Sequence, residues 1–344
     1  MLIVAAVDVS AGSGAGFLPL VALGPAFAGL IGGWPRTAVV GALALALCTA
    51  LGLYDEAFHG RRGYTALASV AGVTAAGWVA AVMRQRREAE FASMRSIAEV
   101  AQRVLLRPVP RRAGHLHTAL SYTSAVAEAR IGGDLYEVVA TPAGVRVIVG
   151  DVQGKGLAAV ETAAVVLGAF REAAYEETEL TGVGARVERA ADRVLRGEKF
   201  VTALIAEISP ERGAMFLNYG HPPPMAVRVD GAVEFPEPDQ YALPLGLGIH
   251  MSEGPRPFHV AFGPGDQLLL YTDGVTEARN HERTFYPLGE RAHLLRDPDP
   301  EAALSALHHD LTEYAEGPPQ DDAAMLLLRY RQEGTGSEDR AVAR

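Results

Sequence analysis

Four acidic motifs in the second half of the sequence carry residue types suited to divalent cations. They are Asp134 in GGDLY, Asp151 in VGDVQGKG, Asp273 in YTDGV, and Asp321 with Asp322 in PPQDDAAMLLL. Converging carboxylates repel one another unless a cation lies among them, and oxygen ligands without paired His or Cys favour Mg²⁺ or Mn²⁺. Two such ions about 3.5–4 Å apart can share a water and activate it for attack on phosphorus.

Each motif taken alone has an ordinary structural explanation. An Asp-Gly pair is usually a turn, and two acidic residues before a strand usually face solvent. The prediction of a two-metal site therefore depends on the joint occurrence of the motifs along one chain.

The segment GDVQGKG resembles a phosphate-binding loop but departs from that motif. The motif needs four residues between its glycines and a Ser or Thr after the Lys, whereas here three residues separate Gly150 from Gly154, and Gly156 follows Lys155. We expect instead a tight turn beside a metal, with the carbonyl of Val152 as a ligand. Gly154 and Lys155 would then lie near phosphate, at the amino end of the next helix.

His221 in LNYGHPPPM stands before three prolines, where a histidine is more often structural. The alternative is that it contacts phosphate or donates a proton. The sequence shows no evident Ser-His-Asp or Cys-His arrangement, so direct attack by water is the simpler chemistry.

The pattern from about residue 116 onwards predicts an α+β domain. Helices are expected at 84–107, 157–175, 183–196 and 302–315, and strands at 144–150, 200–208, 214–220, 225–229, 267–274 and 324–330. Because the strands do not alternate regularly with helices, antiparallel sheets flanked by helices are expected. Residues 331–344 have the composition of a disordered tail.

The amino-terminal region has the composition of a membrane domain. Residues 9–35, 37–54 and 63–83 contain no charged side chain, and a span needs about 20 apolar residues. Prolines interrupt the first run, so its span is expected near 16–33. Buried core helices and a signal peptide are the alternatives, but the first arginine is Arg36, too late for a signal peptide. About three transmembrane helices are therefore predicted in residues 1–83.

Charge divides the rest of the chain. Residues 84–112 contain eight arginines and three acidic residues, which marks the cytoplasmic side of a multi-pass cell-membrane protein, although Arg61 and Arg62 weigh against this orientation. Residues 113–344 contain 35 acidic and 20 basic residues, which argues against a nucleic-acid partner. The single cysteine, Cys48, excludes an intrachain disulfide and fits a reducing cytoplasm.

The predicted helix 84–107 ends before Pro108 and has an apolar stripe. The stripe consists of Met94, Ile97, Ala101, Val104 and Leu105. Two interpretations remain open: the stripe packs on the following domain, or it pairs two copies as a parallel homodimer that passes a signal from the membrane.

From about residue 116 to 330, the sequence resembles the SpoIIE/RsbU branch of the PPM-type serine/threonine protein phosphatases, which have the protein phosphatase 2C fold. The motifs that carry the resemblance occur in family order: ARIGGDLYEV, VGDVQGKGLAA, FVTALIAEI, NYGHPPP, LPLGL, GDQLLLYTDGVTEARN and QDDAAMLLLRY. The resemblance implies a sandwich of two antiparallel sheets flanked by helices, with two Mn²⁺ or Mg²⁺ ions at the edge between them. In this family, helices packed beside the catalytic domain can switch it.

The same resemblance implies roles for individual residues. Asp151 would bridge both metals, and the carbonyl of Val152 would complete one coordination sphere. Asp273 and Asp321 would bind the other metal, and Asp134 would bind directly or through water.

Two positions depart from the family pattern or leave it open. The wider family has a His two residues after the metal-binding Asp, whereas this sequence has Gln153. The proton donor to the leaving serine oxygen is therefore unassigned. Either Asp321 or Asp322 could be the ligand; the order of the motif favours Asp321, with Asp322 in support.

The stretch RIGGDLYEV also resembles the signature turn of diguanylate cyclases. That signature places a further acid and an aromatic directly after Gly-Gly-Asp, where this sequence has Leu135 and Tyr136. The phosphatase interpretation also accounts for the later motifs, and the cyclase interpretation does not.

The expected protein is a membrane-anchored, metal-dependent serine/threonine phosphoprotein phosphatase. By resemblance, its substrate would be a phosphorylated antagonist of an anti-sigma factor. The alternatives are a diguanylate cyclase-like enzyme and a catalytically weak scaffold. The expected organisation is a membrane region at 1–83, a linker helix segment at 84–112, a phosphatase domain at 113–330 and a tail at 331–344.

Overall fold

The computed structural model describes residues 18–54, 56–59, 61–123, 132–248, 254–317 and 321–331. The chain forms two compact units, Met1–Met94 and Arg95–Arg344. The predicted tail lies outside the described residues except for Arg331. Arg130 and Ile131 of the RIGGD motif also lie outside them.

The first unit is helical. Helix α1 covers Leu23–Ile31 after a 3-10 turn at Leu18–Ala22, α2 covers Trp34–Tyr54, and α3 begins at Arg61. Among the described residues, two helical segments are long and apolar enough to cross a membrane, Trp34–Tyr54 and Gly63–Glu90. The 21 residues of α2 reach about 31 Å, close to the hydrocarbon thickness of a bilayer.

The predicted first span near 16–33 is not a spanning helix in the described residues. Helix α1 has only nine residues, or about 14 Å at the helical rise per residue. The backbone becomes extended at Gly32, which ends the helix. Arg84 donates hydrogen bonds to the carbonyls of Gly29 (2.9 Å) and Leu30 (2.6 Å), which satisfies acceptors at this helix end.

Small residues bring the helices of this unit close together. A Cβ atom at Gly41 would lie 2.1 Å from the Cγ2 atom of Thr74, and one at Gly29 would lie 2.9 Å from the Cα atom of Gly77. Such close approach of small residues is typical of helices packed in membranes.

Helix α3 is one continuous element of 45 residues, Arg61–Leu105, and it contains the predicted third span and nearly all of the predicted helix 84–107. It ends before Pro108, as predicted. Within the second unit, Ala101 and Leu105 pack on Val160, which confirms the packing interpretation for those two residues. Ile97 and Val104 are 60% and 76% exposed, and Met94 has no described side chain.

The second unit contains two antiparallel sheets, as predicted. Their strands are β1 (Arg112–Ala113), β2 (Leu116–Thr123), β3 (Asp134–Thr141), β4 (Gly144–Val152), β5 (Val201–Ser209), β6 (Gly213–Tyr219), β7 (Met225–Val227), β8 (Val233–Glu234), β9 (Phe258–Val260), β10 (Gln267–Tyr271) and β11 (Ala323–Tyr330). The six-stranded sheet has the order β1-β2-β11-β10-β7-β8, and the five-stranded sheet has the order β3-β4-β5-β6-β9.

Helices flank the sheets. They are α4 (Leu157–Glu176), α5 (Leu180–Leu195), the short α6 (Asp273–Thr276) and α7 (Pro300–Tyr314), with a 3-10 helix at Leu288–Arg296. Neighbouring residues of β10 belong to different cores: Leu268 and Leu270 lie in the cluster shared with the five-stranded sheet, and Leu269 lies in the cluster shared with α7. Both faces of this strand are buried, which explains its uninterrupted leucines.

Candidate active site

Asp134 and Asp151 face each other on neighbouring strands. Asp134 begins β3, and its Cα partner on the antiparallel strand β4 is Asp151. Residues directly opposite each other on antiparallel strands point to the same side of the sheet. The first two predicted motifs therefore bring their carboxylates together, although 17 positions separate them in the sequence.

The acidic residues of this site raise one another's pKa values. Burial, and then the charge of Asp151, raise the pKa of Asp134 well above its usual range. Burial and the charges of Asp273 and Asp321 raise the pKa of Asp151 to about 7. Burial, Glu277 and Asp321 raise the pKa of Asp273 as well. Like charges crowded in a desolvated site disfavour ionisation, and a cation among them would reverse that effect.

Glycines make room for the oxygen atoms of this cluster. A Cβ atom at Gly133 would lie 2.4 Å from the carbonyl oxygen of Val152 and 2.6 Å from Oδ1 of Asp151. A Cβ atom at Gly132 would lie 1.8 Å from Oδ2 of Asp322. The two glycines before Asp134 are therefore required by close packing, which sequence reasoning missed although the adjacent pair was a usable signal.

Thr272 is a second residue that sequence reasoning missed. Its hydroxyl donates to Oδ2 of Asp134 (2.9 Å) and accepts from the backbone N–H of Ala324 (2.9 Å). The predicted strand 267–274 ends at Tyr271, and Asp273 begins α6. The turn at Thr272 thus links the six-stranded sheet to Asp134 of the five-stranded sheet. The signal was the Thr that precedes Asp in YTDG.

Asp321 and Asp322 differ in their exposure and in the acidic residues whose pKa values they raise. The side chain of Asp321 is 52% exposed, and its Oδ1 accepts a hydrogen bond from Nζ of Lys155 at 2.5 Å. The charge of Asp321 raises the pKa values of Asp151 and Asp273. Asp322 is only 2% exposed, and its charge acts on the buried Asp134 as well as on Asp151.

The loop after Asp151 brings Lys155 to the acidic cluster through its contact with Asp321. A Cβ atom at Gly154 would have no atom within 4 Å, so this residue faces open space. Gly154 has a φ of 99° and Gly156 a φ of 86°, values that L side chains rarely adopt. The predicted tight turn is present. Gln153 is exposed, and its N–H donates to the carbonyl of Phe200.

The donor set fits a hard divalent cation. Within the described ranges, no three His, Cys, Asp or Glu side chains are close enough to hold a metal ion as they stand. The available donors are carboxylate and carbonyl oxygens, which suit Mg²⁺ and Mn²⁺. The raised pKa values of Asp134 and Asp151 and the space left by Gly132 and Gly133 fit the same ions.

The structure places His221 in the protein interior, which fits the structural role that its position before three prolines favoured over contact with phosphate. His221 is 2% exposed, and both ring nitrogens have partners within the protein. Nε2 donates to the carbonyl of Tyr271 (3.0 Å), which leaves Nδ1 to accept from the hydroxyl of Thr202 (3.0 Å). Burial lowers its pKa to about 4. Its role is therefore structural, since it joins β5 to the end of β10, one residue before Thr272.

The buried His221 gives a pH-dependent stability. A histidine with a lowered pKa contributes stability that is present above its unfolded pKa, near 6.5, and lost as the pH falls towards 4. As the pH falls through this range, the wild type should therefore lose roughly 3 kcal/mol of unfolding free energy relative to His221→Gln, at about 1.4 kcal/mol per pKa unit. Denaturant unfolding from pH 7.5 to 4 with chelator measures the difference, and parallel pH profiles would contradict the assignment.

The fold and the sequence identify the family of this chain. A family model for stage II sporulation protein E (SpoIIE) matches residues 141–331, which is more than half of the sequence. The chain belongs to the SpoIIE family. It is thereby homologous to the serine/threonine phosphatases of the PPM (protein phosphatase 2C) class.

Three solved structures have the same fold. The SiaA-PP2C domain of Pseudomonas aeruginosa has a TM-score of 0.55 and 20% identity, covering 72% of this chain and 99% of its own. The PP2C phosphatase domain and regulatory-domain fragment of SpoIIE from Bacillus subtilis has a TM-score of 0.53 and 17% identity, covering 63% of this chain and 64% of its own. The RsbU and RsbW domains of a Mycobacterium tuberculosis protein have a TM-score of 0.52 and 24% identity, covering 63% of this chain and 60% of their own. The chain thus spans less than two thirds of two of these structures.

Proposed function

We propose that this protein is a metal-dependent phosphatase of phosphoserine and phosphothreonine in a regulatory protein. The observation that carries the proposal is the meeting of Asp134 and Asp151 in register, within the electrostatic range of Asp273 and Asp321. Membership of the SpoIIE family supports the same activity.

The proposed ligands are those that the family resemblance implies. Asp151 and the carbonyl of Val152 would hold one Mn²⁺ or Mg²⁺ ion, and Asp151, Asp273 and Asp321 would hold a second. Asp134 would bind directly or through water. When bound, these ions supply Lewis acidity towards a water molecule and a phosphoryl oxygen.

Side chains around the proposed ligands would orient the carboxylates and balance their charge. Thr272 donates its hydroxyl to Asp134 and so fixes the orientation of that carboxylate. Lys155 carries an ammonium group to Asp321, where it is also placed to attract the phosphate of a substrate. Asp322 lies on the Asp134 side, which supports Asp321 as the ligand beside Asp273.

We further propose a membrane anchor. The two apolar segments Trp34–Tyr54 and Gly63–Glu90 are only 33% and 17% buried in the fold, which is low for the core helix of a soluble protein. Leu43 and Leu53 are among their exposed side chains. The arginines from Arg84 onwards would mark the cytoplasmic side, and so would place the catalytic domain in the cytoplasm.

The end of α3 is proposed to transmit a signal from the membrane region. Nε2 of Gln102 donates to the hydroxyl of Tyr122 (2.9 Å) and to the carbonyl of Gly132 (3.4 Å). The exposed Ile97 and Val104 are available to pair with a second copy. The substrate proposed from family membership is a phosphorylated antagonist of an anti-sigma factor.

A binding module with weak catalysis is the second candidate. The ion pair of Lys155 with Asp321 favours it, because an ammonium group already neutralises one carboxylate of the cluster. This candidate predicts that substrate binds without turnover.

Phosphate release by the full-length protein in detergent separates the candidates. We expect a phosphoserine peptide and an aryl phosphate to be hydrolysed with Mn²⁺ or Mg²⁺ and not with chelator. Each active metal should also raise the melting temperature of the protein. Asp273→Asn should abolish release, and the exposed Asp239→Asn should not. Folded protein that releases no phosphate with either metal would favour the binding module.

A further inference from the structure

A cavity of about 490 Å³ opens beside the acidic cluster. Gly274 and Asp321 of the site form one part of its wall, and Arg279, Asn280 and Arg283 form another. Pockets that bind small ligands have volumes of about 300–1,000 Å³. The cavity is therefore larger than one phosphate group needs and can hold a peptide side chain.

The wall that carries the arginines is a hairpin turn closed by hydrogen bonds and by an antiparallel bridge between Arg279 and Phe285. The N–H of Tyr286 donates to the carbonyl of Ala278 (2.9 Å), and the N–H of Asn280 donates to the carbonyl of Thr284 (3.2 Å). The side chain of Asn280 accepts from the N–H of Thr284 (2.9 Å). These bonds hold residues 278–280 against residues 284–286.

Helix α7 supports the hairpin from the other side. The hydroxyl of Tyr286 donates to Asp310 (2.7 Å), and the hydroxyl of Tyr314 donates to the carbonyl of Phe285 (3.1 Å). The guanidinium of Arg279 lies 4.2 Å from the ring centroid of Phe285, a distance typical of a cation–π contact. The position of Arg279 is thereby restricted before any ligand binds.

The two arginines are available for an anion. Both are exposed, and in the part of the chain that the structure describes neither guanidinium forms a salt bridge with a carboxylate. The wall carries two acidic residues, Glu277 and Asp321, and two basic ones, Arg279 and Arg283. Asp321 is already paired with Lys155, so the two guanidinium groups remain for an anionic ligand.

The cavity is also in electrostatic contact with the catalytic carboxylates. The charge of Glu277 contributes to the raised pKa of Asp273, and Asp321 belongs to both the cavity and the acidic cluster. A substrate segment whose phosphoserine lies at the cluster would therefore present a nearby side chain to the arginines.

We propose that this cavity binds an acidic side chain close to the phosphoserine of the substrate protein, with Arg279 and Arg283 contacting its carboxylate. The proposal rests on the proposed phosphatase function and adds a substrate class, a phosphoserine segment with a neighbouring Asp or Glu. Arginine is suited to this role because its planar guanidinium binds carboxylates in a bidentate manner.

The test compares two phosphoserine peptides with the full-length protein in detergent. One has Asp and Glu beside the phosphoserine, and the other has Asn and Gln at the same positions. A hydrogen bond to a charged group contributes about 1.5–3 kcal/mol, so wild type should favour the acidic peptide in kcat/KM by roughly tenfold or more. Arg279→Gln with Arg283→Gln should reduce that preference to within about twofold.

The ratio between peptides separates recognition from a loss of folding, which would lower both rates together. Arg193→Gln on α5 is the matched control and should keep the preference. Equal rates for the two peptides with wild type, or a preference retained by the double variant, would overturn the proposal.

A binding measurement covers the case in which the phosphatase proposal fails. Hydrolysis of aryl phosphate reports that activity by itself, since it needs no acidic side chain. Fluorescence anisotropy of both labelled peptides with Asp151→Asn protein reports recognition without turnover. Tighter binding of the acidic peptide, lost with the two arginine substitutions, would support the cavity even if no hydrolysis occurs; equal binding would overturn it.

Discussion

Asp151→Asn is expected to lower kcat/KM for a phosphoserine peptide by about a thousandfold in the presence of Mn²⁺. Metal ions stabilise the transition state of such hydrolysis by several kcal/mol, and each 1.36 kcal/mol is a factor of ten in rate. Asp151 lies opposite Asp134, and Asp273 and Asp321 act on it. Asparagine keeps its size and removes the charge that would bridge the two ions.

Steady-state kinetics with a metal titration measures this effect. The loss should appear mainly in kcat, together with a weaker metal-dependent rise in melting temperature. Asp239→Asn makes the same chemical change at an exposed position and should leave both quantities unchanged. A variant at Asp151 that retains the activity of the wild type would exclude the proposed bridging role.

Arg146→Ala is expected to cost about 3–5 kcal/mol of unfolding free energy, the usual cost of breaking a buried ion pair. The guanidinium of Arg146 contacts Glu207 with Nε (2.8 Å) and a terminal nitrogen (2.6 Å). It also donates to the carbonyls of Ala174 (3.1 Å), Glu177 (2.5 Å) and Thr178 (3.0 Å). The substitution would leave a buried carboxylate and three carbonyls without these partners.

Thermal unfolding of the full-length protein measures this cost. A change of 1 kcal/mol shifts the melting temperature of a 150–250-residue domain by about 2–4 °C, so a decrease of roughly 10 °C is expected. Arg186→Ala is the matched control, because Arg186 forms its ion pairs at the surface and such pairs contribute little. Replacing Arg146 and Glu207 together by leucine should cost less unfolding free energy than Arg146→Ala. If Arg146→Ala and Arg186→Ala lowered the melting temperature by similar amounts, this account would be contradicted.

Arg146 connects the strand that carries Asp151 to helix α4. It lies on β4, the strand that carries Asp151, and binds carbonyls at the carboxyl end of α4. A cation at this end of a helix also interacts favourably with the helix dipole. The buried arginine thus fixes α4 against the strand that presents the central carboxylate.

The sequence alone determined the elements and the acidic residues that meet. The helix predicted at 157–175 is Leu157–Glu176, and the strand predicted at 324–330 is Ala323–Tyr330. These patterns are local, because runs of apolar and small residues bounded by Gly, Pro and Asp specify strands and helices within a few turns. The clustering of strands was enough to favour antiparallel sheets.

The helices of the first unit show where local patterns were insufficient. A run of uncharged residues predicted a span near 16–33, but α1 ends at Gly32 after nine residues. One helix, α3, covers the predicted third span and nearly all of the predicted helix 84–107, so the change in charge at Arg84 does not end it. Charge and hydropathy describe the medium around a helix, whereas its ends depend on backbone geometry.

Only the tertiary structure decided the roles of the residues between the motifs. His221 depends on the carbonyl of Tyr271, 50 positions away, and Lys155 on Asp321, 166 positions away. Thr272 is held by the carboxylate of Asp134 and Gly132 lies against that of Asp322, both of which are distant in the sequence. The sequence specifies the chemistry of each side chain. Whether that side chain is buried, and which partner it contacts, depends on how distant strands pack together.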